Sequence, residues 1–513
     1  MIALQNWISA GEVSAERDKN LKHYFYDAGV SRDIVSNDKQ YLLLGRKGAG
    51  KTAVYLHLIS RPAALFKEED IVIGLSLQNY NWRAHALLID SQKVGGSEHR
   101  NSWRFVICLE VLKAIQSKFK SDGKPLPKEI AEAVRAIEKL FSGPLKSWSD
   151  LIGSKLFSLA SLKIPSAGLS EQGITVGGGE ITFEQVSEDK SLRSALNNNI
   201  SVLTDWLESK VKEIPAPYRI FLVFDRLDEA WLPNYMDESK AIISGLLHAA
   251  EHSLSTFSGS VRPLIFLRDD IFGTLDINDR NKFREDCSSH LRWSELEIER
   301  LLITRINFYA RQADVPEIAL LQDIFVDAKI RSKTTPVKHA FKRTMCRPRD
   351  MVALMGRIFA VVKDDVSLID GNKIKSKAIY DAEPGYSDYL YEELSDEWRN
   401  QNPELFSYLG AIENIRYAVF STEEFEDALA GKGVVNDRSS YRAVTRFLFE
   451  NSIIGLTVGA SKNWRYKCFN NNQAFMDASV FKVHPGLIKH LGLKERTSPN
   501  SPATADIEDG DDE

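Results

Sequence analysis

Apolar residues fall along this chain in two rhythms. Four short runs read as strands: "YLLLG" (41–45), "IVIGLSL" (71–77), "IFLVF" (220–224) and "PLIFL" (263–267). The third and fourth, apolar on both faces, predict central strands of a parallel sheet. Between them apolar residues recur every three or four positions, as in "SWRFVICLEVLKAIQSKF" (102–119), which predicts helices. The alternation defines an α/β fold, a parallel central sheet flanked by helices. About 140 residues separate the second and third strands, more than a crossover needs, so about 83–215 is read as an insertion. Within it "GITVGGGEITF" (173–183) reads as a β-hairpin with a glycine turn.

Further along, "HLRWSELEIERLLITRI" (290–306) predicts a short fifth strand and then a helix capped by Ser294, with Glu297 closing a capping box. Helical spacing continues to about residue 370, and "DAEPGYSD" (381–388) reads as a linker. Beyond it, "STEEFEDALA", "SSYRAVTRFLFENSIIGL" and the alternating "TVGASKNWRYKCFN" predict helix, helix and β-wing, a winged-helix pattern closed by "VHPGL" (483–487). The expected organisation is an N-terminal helical segment (1–39), a core (40–300), a helical lid (301–380), a winged-helix domain (389–493) and a disordered acidic tail (498–513).

Composition narrows the class. A chain of 513 residues, 43% apolar and 27% charged, is that of a globular protein of roughly two to four domains. No run of 18 apolar residues offers a membrane span, and the first residues lack a signal-like core, so a cytoplasmic location is expected. Cys108, Cys287, Cys346 and Cys468 lie far apart without paired spacing and read as reduced structural thiols. Net charge is −5, but residues 498–513 hold six acids and no base, so the rest of the chain is nearly neutral. Any basic surface has to be local.

"GRKGAGKT" matches G-x-x-x-x-G-K-[ST] at Gly45, Gly50, Lys51 and Thr52, with Arg46, Lys47, Gly48 and Ala49 between and Ala53 following in the helix. Such a loop turns backbone N–H groups toward a phosphate, with Lys51 on the β and γ oxygens and the Thr52 hydroxyl toward Mg2+. ATP and Mg2+ are the expected ligands. The third strand runs into "DRLDE", three acids within five positions. Like charges that close repel unless a cation sits among them. Asp225, at the strand end, is assigned to Mg2+, and Glu229 first, Asp228 second, to the attacking water.

Together "GRKGAGKT", "FLVFDRLDE" and "PLIFLRDDIF" resemble the signalling-type P-loop ATPases, the STAND class with its NACHT proteins, and the neighbouring AAA+ initiator ATPases. The two-residue spacer between Asp225 and the pair Asp228–Glu229 is similar to the NACHT pattern, whereas AAA+ proteins usually place Glu where Arg226 stands. Residues 280–306 are similar to the initiator segment that runs from an arginine-finger region into a helix. The resemblance covers about 35–370, with a winged helix appended, and extends to bacterial ATPases of this type, some encoded beside anti-phage defence genes. It implies that Arg268 reads the γ-phosphate from the fourth strand and that Arg349, then Arg347, contacts phosphate from the lid, although Arg347 replaces a usual glycine. It implies also that Arg280 or Arg284 acts across a subunit interface. A slow ATPase switch follows, with a homo-oligomer and a separately encoded effector protein as expected partners.

Two other patterns compete. "HAAEH" (248–252) has metalloprotease spacing, but it lies on the helix after the acidic strand and is read as structural. Arg438, Arg442 and Arg446 repeat every four residues on the second helix of the last domain, with Lys462, Arg465 and Lys467 on the predicted wing. Such a stripe grips duplex DNA, docks a protein or is a solvated face. The alternative function is therefore a DNA-binding, AAA+ initiator-like loader. A small-molecule kinase is disfavoured by the acid trio.

Overall fold

The computed structural model describes residues 3–499 apart from 79, 87, 89–98, 141–142, 148–189, 231–235, 331–332, 400, 435–436 and 458–462. It divides into two bodies: Asp27–Arg46 with Lys51–Leu291, and Met1–Tyr26 with Lys47–Gly50 and Arg292–Glu513. The predicted hairpin at 173–183 lies outside the described residues.

The first body is built on β1 (Leu42–Gly45), β2 (Ile71–Ser76), β3 (Ile220–Asp225), β4 (Val261–Arg268) and β5 (Ser288–His290). They form one parallel sheet in the order β2-β3-β4-β1-β5. All residues of β3 and β4 are buried, the physical reason their runs show no alternation. The fifth strand lies just ahead of the predicted start. Arg262, fully buried at the start of β4, donates to the carbonyls of Ile34 (3.0 Å), Asn37 (2.8 Å) and Val35 at the C-terminal end of the helix Val30–Ser36. A cation there offsets the negative end of the helix.

The described part of the insertion packs into the first body. Its helices Arg100–Ser121, Lys128–Leu140 and Lys190–Val211 share one apolar core with the sheet, through Ile107, Leu112, Ile130, Ile137 and Leu207. Buried Arg104 grips Glu208 with bonds of 2.8 and 2.6 Å, and His252 meets the same carboxylate at 3.0 Å. "HAAEH" is absorbed in this packing: His248 lies against Phe283 and Glu251 pairs with Lys282. Among the described residues no group of His, Cys, Asp or Glu is placed to hold a metal ion. No described helix is long and apolar enough to cross a membrane.

The second body begins with short turns of helix at Leu4–Asn6 and Leu21–Tyr24, so the N-terminal segment is divided between bodies rather than being one unit. The helix Glu295–Gln312 carries the predicted Ser294–Glu297 capping box and runs through residue 300, where the core was expected to end. After Pro348–Asp364 and the hairpin β6 (Ile369–Asp370) with β7 (Lys373–Ile374) comes the helix Lys377–Trp398. That helix corrects the linker reading, because "DAEPGYSD" lies inside it, Pro384 included. Ala378, Ile379, Ala382, Tyr386, Leu390 and Leu394 keep the apolar spacing through the proline, and their burial against the helix Pro348–Asp364 outweighs the missing N–H.

The chain then gives helix Leu405–Ile415, β8 (Tyr417–Ser421), helices Thr422–Gly431 and Arg438–Glu450, β9 (Ile454–Leu456), β10 (Val480–Val483) and β11 (Lys494–Thr497). The sheet order is β11-β8-β10-β9. The expected wing lies elsewhere. The partner of β9 is β10, and among the described residues of the alternating 457–470 stretch the pairing is a bridge between Leu456 and Arg465. Tyr466 folds over Gly455 instead, where a Cβ would lie within 2.7 Å of its ring.

Candidate functional site

In the first body the loop residues Gly45 and Arg46 leave β1 and Lys51, Thr52 and Ala53 open the helix Lys51–Ile59. Gly45 is the register partner of Arg268, so the glycine loop and the end of β4 emerge side by side. β3 lies next to β4, and Asp225 is its last residue. The strand ends thus bring Lys51, Thr52, Asp225, Asp228 and Arg268 together, as parallel strands of adjacent length do. Lys51 Nζ donates to the carbonyls of Gly45 (2.9 Å) and Arg46 (3.1 Å). Burial pulls its pKa below the usual lysine value, partly offset by the charges of Asp228, Asp225 and Asp270.

Asp225 is 3% exposed. Burial pushes its carboxyl up to about 6, against hydrogen bonds from Thr52 and the Arg226 N–H that favour the ion. Its Oδ2 is buried with no hydrogen-bond partner. A buried carboxylate oxygen without a donor is costly, and beside a hydroxyl it forms the hard-oxygen set that suits Mg2+. These residues fit that ion. Arg226 takes a left-handed conformation (φ 64°), unusual for a side-chain-bearing residue, and turns the chain into the 3-10 helix Leu227–Ala230 with Leu227 buried beneath. The turn separates the two remaining acids. Asp228 Oδ2 lies 3.8 Å from Arg268, while Glu229 pairs with Arg226 at 3.1 Å. Sequence reasoning missed Asp270, which holds Arg268 by two bonds of 3.0 and 2.6 Å. Its signal was there in "LRDD", an arginine two positions from a second acid.

The middle of the loop, Lys47–Gly50, groups with the second body. Gly48 and Gly50 have φ of 79° and 100°, which glycine adopts without strain. Three successive carbonyls are engaged: Lys47 by Arg347 Nη1 (3.1 Å), Gly48 by the Arg349 N–H (3.4 Å) and Ala49 by the Trp293 indole N–H (2.8 Å). Arg347 and Arg349 open the helix Pro348–Asp364 and differ in commitment. Arg347 is buried and paired with Asp350 (2.9 Å) and Glu397 (3.3 Å). Burial pulls its pKa down, but those acids more than reverse this and keep it charged. Arg349, its side chain 31% exposed, shares Glu393 with Lys47, at 3.1 and 3.7 Å. Trp293, Glu393 and Glu397 were not foreseen, since nothing local in the sequence ties them to the loop.

Arg280 donates to the Gly273 carbonyl and Arg284 stacks on Phe272, both within the first body. Arg438, Arg442 and Arg446 are exposed along one helix, Arg442 pairing with Asp477 at 3.1 Å. Arg465 and Lys467 bond to Gln473, and Lys462 lies outside the described residues.

Fold and site define an α/β chain in which a phosphate-type glycine loop joins a strand to a helix and acids end a neighbouring buried strand. Residues 296–395 match the family described as FunZ-associated C-terminal helical domain. The chain is similar to the "Putative transposon gamma-delta 80.3 kDa protein" of Escherichia coli (strain K12), 26% identical over 367 residues. The match takes in 68% of this chain and 46% of that relative, so the chain spans about half the relative's length. Among solved structures it is similar to the Aeropyrum pernix Orc1 protein in complex with DNA (11% identity, 87% and 90% of the two chains, TM-score 0.34). It is likewise similar to Cdc6p from Pyrobaculum aerophilum (11% identity, 90% and 92%, TM-score 0.31).

Proposed function

We propose that this chain is a Mg2+-dependent P-loop ATPase of the AAA+ and STAND kind that works as a slow nucleotide-controlled switch. The observation that carries the reading is the buried, partnerless Asp225 Oδ2 beside Thr52 and Lys51 in a strand–glycine loop–helix unit. Lys51 and the loop amides bind the phosphates. When bound, Mg2+ offsets the charge that develops on their oxygens. Arg268, steadied by Asp270, orients the terminal phosphate, and Asp228 positions water for Glu229, the base, once Glu229 leaves Arg226. Arg349 is the lid arginine that exchanges Glu393 for phosphate, because it is the more exposed of the two, and Arg347 holds the helix start in place.

The switch would order a homo-oligomer and act on a separately encoded effector protein in bacterial anti-phage defence. A relative named for a transposon fits a place among mobile-element conflicts. Glu229→Gln is expected to keep ATP binding and to lower turnover at least about tenfold. If turnover is unchanged there and falls in Asp228→Asn, the base is Asp228; if both variants turn over normally, neither acid is the base, and absence of Mg2+-dependent ATP hydrolysis by the native chain removes the ATPase reading.

A second reading rests on the exposed stripe Arg438, Arg442 and Arg446, which suits phosphates of duplex DNA. It requires salt-dependent duplex binding that disappears in Arg442→Ala/Arg446→Ala, and absence of binding at low salt removes it.

A further inference from the structure

The four-stranded sheet of the second body has two unlike faces. Ala418, Phe420, Ile454, Leu456, Phe481 and Val483 point into the large core. Alternation puts Tyr417, Val419, Val480 and Lys482 on the other side, where Val419 and Val480 form a separate small cluster under Trp464. That face is basic and aromatic. The Lys494 and Arg496 cations stand 5.3 and 5.6 Å from the Tyr417 ring centroid, and the Lys482 ammonium stands 5.8 Å from that of Trp464. Lys494 and Arg496, two apart on β11, are exposed, while Glu495 between them pairs with Lys489 at 2.8 Å.

We propose that this face is a docking surface for the chain's own acidic segment, residues 500–513. The occupant is argued from charge and reach. The segment holds six acids, Asp506, Glu508, Asp509, Asp511, Asp512 and Glu513, and no base, and it follows directly from β11, the strand that carries Lys494 and Arg496. From Thr497 to Asp506 the chain reaches up to ~30 Å. β11 and β10 are two strand spacings apart, ~10 Å, so the acids reach all three cations without displacing any element. An anionic segment tethered beside its site has a high effective concentration, and that makes modest ion pairs sufficient. The tail then screens this face from other polyanions, independently of the nucleotide site.

The test uses a fluorescein-labelled peptide of residues 500–513 and fluorescence anisotropy at about 50 mM salt, where exposed ion pairs are weakly screened. The full chain is compared with a full-length variant in which all six tail acids are changed to the matching amides. The amide-tail chain is expected to bind the peptide at least about tenfold more tightly than the native chain, whose face is filled in cis. Adding Lys494→Glu/Arg496→Glu, at exposed sites where unchanged thermal melting verifies folding, is expected to remove about tenfold or more of that binding. Equal binding by native-tail and amide-tail chains overturns the proposal, as does binding indifferent to the charge reversals. So does a labelled DNA strand or duplex that binds through Lys494 and Arg496 when the peptide does not, since the face then belongs to nucleic acid.

Discussion

Asp225 and Arg347 are both buried charged residues in motifs visible from the sequence, and the fold treats them oppositely. Asp225 is left with an oxygen that nothing donates to, and its carboxyl rises to about 6. Arg347 meets two carboxylates and a backbone carbonyl and stays firmly charged. The arginine belongs to the architecture of its helix start; the aspartate keeps a buried oxygen without a donor. Of two motif residues, the incompletely satisfied one is the candidate for chemistry.

The largest effect expected from this contrast is at Arg347. Arg347→Ala leaves Asp350 and Glu397 facing each other without their cation and should lower stability by about 3–5 kcal/mol in urea melts. A loss below about 1 kcal/mol would mean the network contributes little. Asp225→Asn should do the reverse. The folded chain holds the Asp225 proton more tightly than the unfolded chain, so the penalty is absent below about pH 4, grows as pH rises, and is complete above about pH 6. The amide removes it and should raise stability by about 1–3 kcal/mol at pH 7.5 but not at pH 4, in melts without Mg2+ or nucleotide. Arg442→Ala, at an exposed pair whose side chains are 62% and 65% accessible, should shift stability by less than about 0.5 kcal/mol.

The same contrast explains what could be read in advance. β1, β3 and β4 were legible because strands buried on both faces need uninterrupted apolar runs, and the Ser294 capping box because its two partners are three residues apart. Local chemistry also located Lys51, Thr52 and Asp225. What escaped depends on distant residues. Pro384 and Gly385 read as a break, yet the buried face from Ala378 to Leu394 keeps them helical. The wing was placed by alternation on 457–470, while β10, which pairs with both β8 and β9, lies at Val480–Val483. The resemblance ranked Arg349 ahead of Arg347, and the fold adds that Arg349 pairs with Glu393 while Arg347 pairs with Asp350 and Glu397.

Calorimetric titration of ATP with and without Mg2+, into the native chain and into Asp225→Asn, tests the central claim most directly. The account predicts that Mg2+ tightens ATP binding by about tenfold or more in the native chain and leaves Asp225→Asn, which still folds, at its metal-free affinity. An equal gain from Mg2+ in both chains would contradict it.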